Sequence, residues 1–187
     1  MSQVLRPCGR PRARTAATGA GWLLAVLWLA GCSAALDWRQ VQPDGWSLVG
    51  ALPCKPATQQ RQVALAGQTV VMTMVACTAD GHTFALVSAE LGDPARVQPA
   101  LQALGQAARV NLQGRVDAER PAQVPGMTPN PAALRWRLLG KLPNGQAAAE
   151  QVQVFAHGTR VFQAAVVGAE ADDARAAPFF DALKVLP

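Results

Sequence analysis

The stretch "CTADGHTFALVSAEL", residues 77–91, decides how this chain is expected to fold. Asp80-Gly81, set between apolar runs, is the strongest short hairpin signal in the sequence. Beyond it Phe84, Leu86 and Ser88 alternate with Ala85, Val87 and Ala89, so both faces of the following strand are apolar or small. A strand with no polar face is covered on each side. The stretch therefore predicts a central strand of an antiparallel sheet, with other elements packed above and below it.

Working outward, the same grammar continues. Upstream, "GWSLVGALPC" (45–54) reads as a first strand stopped by Pro53, and Gly67-Gln68 reads as a hairpin between "RQVALAG" and "TVVMTMVACT". Downstream of Asp93 the period changes. Asp93 suits a cap and Pro94 a first helical position, and Val97, Leu101, Leu104, Ala108 and Leu112 recur at helical spacing. Pro99 either kinks this helix or marks its true start. Residues 117–134 hold Pro121, Pro125, Pro129 and Pro131 and read as the longest irregular region, the segment best suited to a functional loop. Asn144-Gly145 and His157-Gly158 then punctuate two or three antiparallel strands. "EADDARAAPFFDAL" reads as a closing helix that Pro178 could split, and "KVLP" as a last short strand. The order predicts one α+β domain over residues 45–187, an antiparallel β-sheet with packed helices.

The first residues are of another kind. Arg6, Arg10, Arg12 and Arg14 precede an apolar run from Trp22 to Ala30, too short to span a bilayer's ~30 Å core and matched to a signal-peptide core. Leu29-Ala30-Gly31-Cys32 follows at the end of that run and resembles the lipobox of bacterial lipoproteins. The resemblance implies removal of residues 1–31, a diacylglycerol thioether on Cys32, and a lipid-anchored linker over 32–44. Ser33, which is not aspartate, implies by the same resemblance delivery to the outer membrane, facing the periplasm. A plain secretory leader with a chance cysteine is the alternative.

Removing that leader changes the electrostatics. The chain carries a formal net charge of +5, but from Cys32 onward 13 basic residues face 12 acidic ones. A nearly neutral domain gives nucleic-acid binding no support. It leaves Cys54 and Cys77 as an even pair in an oxidising compartment, expected to form a structural disulfide rather than stay free thiols or act as a redox pair, since they fit no C-x-x-C spacing.

With these strands in place, "WSLVGALPCKP", "HGTRVFQAAVVG" and the closing "FFDALKV" together resemble the PsbP-like superfamily of small α/β/α sandwich domains, across most of residues 45–187. The resemblance implies an accessory or binding protein acting on a larger partner, without shared catalytic residues. Cys54/Cys77 and Pro178 depart from its pattern.

Chemistry-bearing residues are few. Ser33, Ser47 and Ser88 lie in no G-x-S-x-G, and His82 and His157, each beside a hairpin turn, read more readily as surface turn residues than as catalytic bases. No metal set, cofactor loop or paired acid is expected; Asp172-Asp173 suits helix capping. In "RWR" the arginines Arg135 and Arg137 share one strand face and Trp136 takes the other. They are either a solvated face over a core tryptophan or a strip that recognises acidic groups. Trp46 is expected in the core, whereas Trp38 could serve the core or a membrane interface. The sequence thus predicts a non-enzymatic, lipid-anchored envelope protein with an unknown protein partner. Its interaction surface is expected at the Pro121–Pro131 loop, including Met127 and Asn130, and at Arg135/Arg137. An envelope hydrolase or transferase using His82 or His157, and a carrier of an apolar ligand, are the competing expectations.

Overall fold

The computed structural model describes residues 36–170 and 172–187. Cys32 and the residues expected to form a leader and lipobox lie outside these residues. Seven strands form one antiparallel sheet: β3 (Ala57–Leu65), β4 (Gln68–Ala79), β5 (His82–Glu90), β9 (Arg160–Gly168), β8 (Ala147–His157), β7 (Leu134–Lys141) and β6 (Arg115–Pro121), in that spatial order. β5 stands between β4 and β9, a central strand as expected; Phe84, Leu86 and Ser88 are buried on one face, whereas Ala85 and Val87 on the other are only half-buried. A smaller sheet places β2 (Leu48–Leu52) between β1 (Arg39–Val41) and β10 (Lys184–Val185). β1 falls in the segment expected as linker.

The turns explain the register. Asp80 and Gly81 both have positive φ, 48° and 71°, the backbone that a two-residue turn needs to match strand twist. Ala66 and Gly67 do the same between β3 and β4, one residue earlier than Gly67-Gln68. The register then sets large apolar residues opposite one another in the core, Phe84 against Val166 and Phe155 against Phe162.

One face of the large sheet carries α1 (Val97–Asn111), entered through a 3-10 turn at Pro94–Arg96 that the Asp93 carboxylate caps by accepting from Ala95 N at 2.9 Å. Pro99 sits in the first turn of α1, where no N–H is needed, so it marks a start and not a kink. Gly105 lets α1 approach closely: a Cβ there would lie 2.5 Å from the Trp136 ring. The opposite face carries the small sheet and α2 (Asp173–Asp181), capped by Asp172. Pro178 does not split α2, which continues through it to Asp181.

Edge-to-face rings bind these layers: Trp38 to Phe84 at 6.1 Å, Phe84 to Phe179 at 5.7 Å, and Trp46 to Phe162 at 5.9 Å. Trp38 is thus engaged with the core, and Trp46 is buried in it. Each fully buried phenylalanine contributes about 1.5–3 kcal/mol. The Cys54–Cys77 disulfide joins the end of β2 to β4, with Cα atoms 5.9 Å apart, and so staples the small sheet to the large one.

Two expectations are corrected here. Residues 117–134 are not irregular throughout, because β6 runs to Pro121 as an edge strand. The N–H of Ala122 bonds inward to Ala133, so the nitrogen of Pro121 points outward and its missing hydrogen costs the ladder nothing. His82 is not a surface residue: it is 7% exposed, packed against Gly168 beneath the segment that leads into α2.

Candidate functional site

β6, β7 and β8 present Arg120, Arg135, Arg137, Gln151 and Gln153 on the face that carries α2. The register makes this so: Arg135 pairs with Arg120 on one side and Gln153 on the other, and Arg137 pairs with Gln151. Trp136 takes the other face, buried beneath α1, with its indole N–H donating to Glu119 at 2.6 Å. The alternation read in "RWR" holds. The two arginines are half-buried, however, and not simply solvated.

Arg135 is held from three directions. Its guanidinium stacks 3.7 Å above the Phe180 ring, a cation–π contact, and it donates to the Gln151 carbonyl oxygen. Gln151 in turn donates to Asp173 at 2.9 Å. Burial, reinforced by the like charge of Arg120, lowers the Arg135 pKa from 12.5 to about 10, against the pull of Asp173 and Asp181. Arg137 sits 3.7 Å from Asp117, an ion pair too long for a hydrogen bond. Asp117 occupies the register shift between Val116 and Ala118, a bulge that sets it between Arg115 and Arg137.

Arg135 Nε, Arg137 Nε and Gln153 Nε2 are buried and lack hydrogen-bond partners among the described residues. A buried donor left unmatched costs about 1–3 kcal/mol, so three on one face are an arrangement that oxygen acceptors would relieve. Two hollows open there. One of about 110 Å³ lies between β6 and the Arg135–Arg137 segment, and one of about 300 Å³ is bounded by Arg120, Arg135, Gln153 and Asp181. Asp117, Glu119 and Asp173 also line the smaller, so its charges are mixed; in the larger, the Arg120, Arg135 and Gln153 donors face a single acid, Asp181, and could hold a carboxylate or phosphate.

Met127 and Asn130 do not line either hollow. Met127 Sδ accepts from Val124 N, and the Asn130 side chain accepts from Ala132 N at 2.9 Å, so both fold the loop onto itself. That loop is pinned at Thr128, which bridges Ala156, and at Gly126, whose carbonyl lies 2.9 Å from His157 Nδ1. The ring nitrogens of His82 each lie 2.7 Å from a backbone carbonyl, of Asp80 and of Glu170. His82 and His157 stand at opposite ends of β9, eight residues apart, or roughly 26 Å at ~3.3 Å per residue. They share no site. Among the described residues no cluster of His, Cys, Asp or Glu could hold a metal ion, and no helix is long and apolar enough to cross a membrane.

No known family model and no curated protein matches this chain. The site therefore rests on its own geometry.

Arg120, Gln151, Gln153 and Asp181 are the members that sequence reading missed. "QVQV" at 151–154 did carry a signal, two amides on one side of an otherwise apolar strand. Only the pairing of β8 with β7 shows that they face the arginines.

Proposed function

We propose that this protein is a lipid-anchored envelope lipoprotein with a non-catalytic binding or assembly role, tethered through Cys32 and gripping an anionic group of its partner with the Arg135/Arg137 face. The observation that carries the binding role is the set of three buried donors without hydrogen-bond partners, two of them the Nε atoms of the half-buried Arg135 and Arg137 and the third the Gln153 amide. The layering, one helix on one face of an antiparallel sheet and a helix with a small sheet on the other, supports the likeness to PsbP-like domains. Leu29-Ala30-Gly31-Cys32 supports the anchor and, with Ser33, placement in the outer membrane facing the periplasm.

Two experiments test the two halves separately. Cys32→Ser should accumulate unprocessed precursor and take up no radiolabelled palmitate; a normally matured, labelled variant removes the anchor from the proposal. Exchanging Arg135 and Arg137 together for alanine should weaken capture of the partner by crosslinking in intact cells at least about tenfold, with thermal unfolding still cooperative. Undiminished capture by the double variant refutes the role of this face.

A second reading, carriage of an apolar ligand, has one feature in its favour. A groove of about 420 Å³ opens between the β3–β4 hairpin and α1, with Val63, Met72, Met74 and Leu104 as its apolar lining and Gln59, Arg61 and Gln163 as its polar part. Its size and lining suit a small apolar molecule. Native mass spectrometry of protein taken from its own membrane would carry the adduct.

A further inference from the structure

The larger hollow on the arginine face is lined by groups of both signs, with Asp181 close enough to act on Arg135 without forming an ion pair. Arg120 projects from edge strand β6 and makes no ion pair with any described residue; Arg135, fixed by Phe180 and Gln151, stands beside it. Gln153, only 2% exposed, adds an amide nitrogen with no partner. These groups are all donors. Asp181 faces the same hollow from the last residue of α2 and makes no ion pair with a described residue either. The partial negative charge of a helix C-terminus adds to that of its carboxylate.

A plain anion would satisfy the donors and be repelled by Asp181. A plain cation would meet the reverse. A molecule carrying both charges a few bonds apart answers both signs, and about 300 Å³ is at the small end of ligand pockets. We infer that this hollow binds a small zwitterionic carboxylate of the α-amino-acid class, its carboxylate against Arg120, Arg135 and Gln153 and its ammonium against Asp181. The planar guanidiniums suit a carboxylate's paired oxygens. The inference rests on the reading of this face as one that binds anionic groups, and adds a counter-charge requirement to it.

The test is calorimetric titration of the full-length protein, extracted in detergent, with L-alanine. N-acetyl-L-alanine, which keeps the carboxylate and loses the ammonium, and inorganic phosphate serve as comparisons. L-alanine should bind at least tenfold more tightly than either. Asp181→Asn should erase that advantage while leaving the weaker acids unaffected or improved, and Gln153→Leu should weaken L-alanine at least tenfold. Asp181 is exposed, so its variant tests the inference even if Gln153→Leu fails to fold. Equal or tighter binding of phosphate or N-acetyl-L-alanine overturns the zwitterion and leaves the anion-binding face standing. Absence of any heat overturns the site, and the crosslinking of the Arg135/Arg137 variant still decides the broader role.

Discussion

At pH 8, Glu150→Gln should make the folded domain about 3 kcal/mol more stable, and at pH 4 it should change almost nothing. Glu150 lies in β8 between Leu138 of β7 and Val167 of β9, 6% exposed. Burial alone pushes its carboxyl from 4.5 up to about 7. A folded-state value above the unfolded one means that ionisation opposes folding. Stability is therefore complete below 4.5, declines as the pH rises toward 7, and is flat above it. A difference of roughly 2.5 decades in proton affinity corresponds to about 3 kcal/mol. Glutamine keeps the shape and never ionises, so its advantage should open across that same window in urea unfolding measured at several pH values. An advantage of equal size at pH 4 and pH 8 would refute burial of the carboxylate as its source.

Breaking the Cys54–Cys77 bond should have an effect of similar size and opposite sign. It closes a loop with a sequence separation of 23, for which chain entropy gives about 3 kcal/mol. In a domain of this size that is roughly 6–12 °C in melting temperature. Replacing both cysteines with alanine and reducing the wild-type protein should lower the midpoint by similar amounts. The loss should begin in the small sheet, since the bond ties β2 to β4. An unchanged midpoint after verified reduction would contradict the stapling role.

What the sequence made legible was local. Asp80-Gly81, Asn144-Gly145 and His157-Gly158 each mark a turn by residue chemistry, and the apolar run from Phe84 to Ala89 marks a central strand, although only its Phe84/Leu86/Ser88 face is fully covered. The same locality misled over β6. Its outer edge is open, so Arg115–Pro121 shows no apolar face, and its proline-rich continuation disguised it as loop. His82 looked superficial because the segment that buries it arrives from Glu170, far along the chain. The arginine face was half visible. Arg135 and Arg137 declared themselves by alternating with Trp136, whereas Gln153, Arg120 and Asp181 join them only through strand register and the docking of α2.

The large sheet is open at both ends, and the two ends are unlike. β6 displays Arg115, Asp117, Glu119 and Arg120 along its exposed length and finishes in Pro121, so a second chain laid beside it would have to strip water from four charges and would find a missing donor. β3 displays Gln59, Gln60, Arg61 and Gln62, with amides ready to pair and a single charge to discourage it. Copies crowded together at high local density are thus barred from zipping sheet to sheet into an endless ribbon, because such a filament needs two receptive borders and β6 refuses. Back-to-back pairing through β3 remains open, and it closes on itself after two chains.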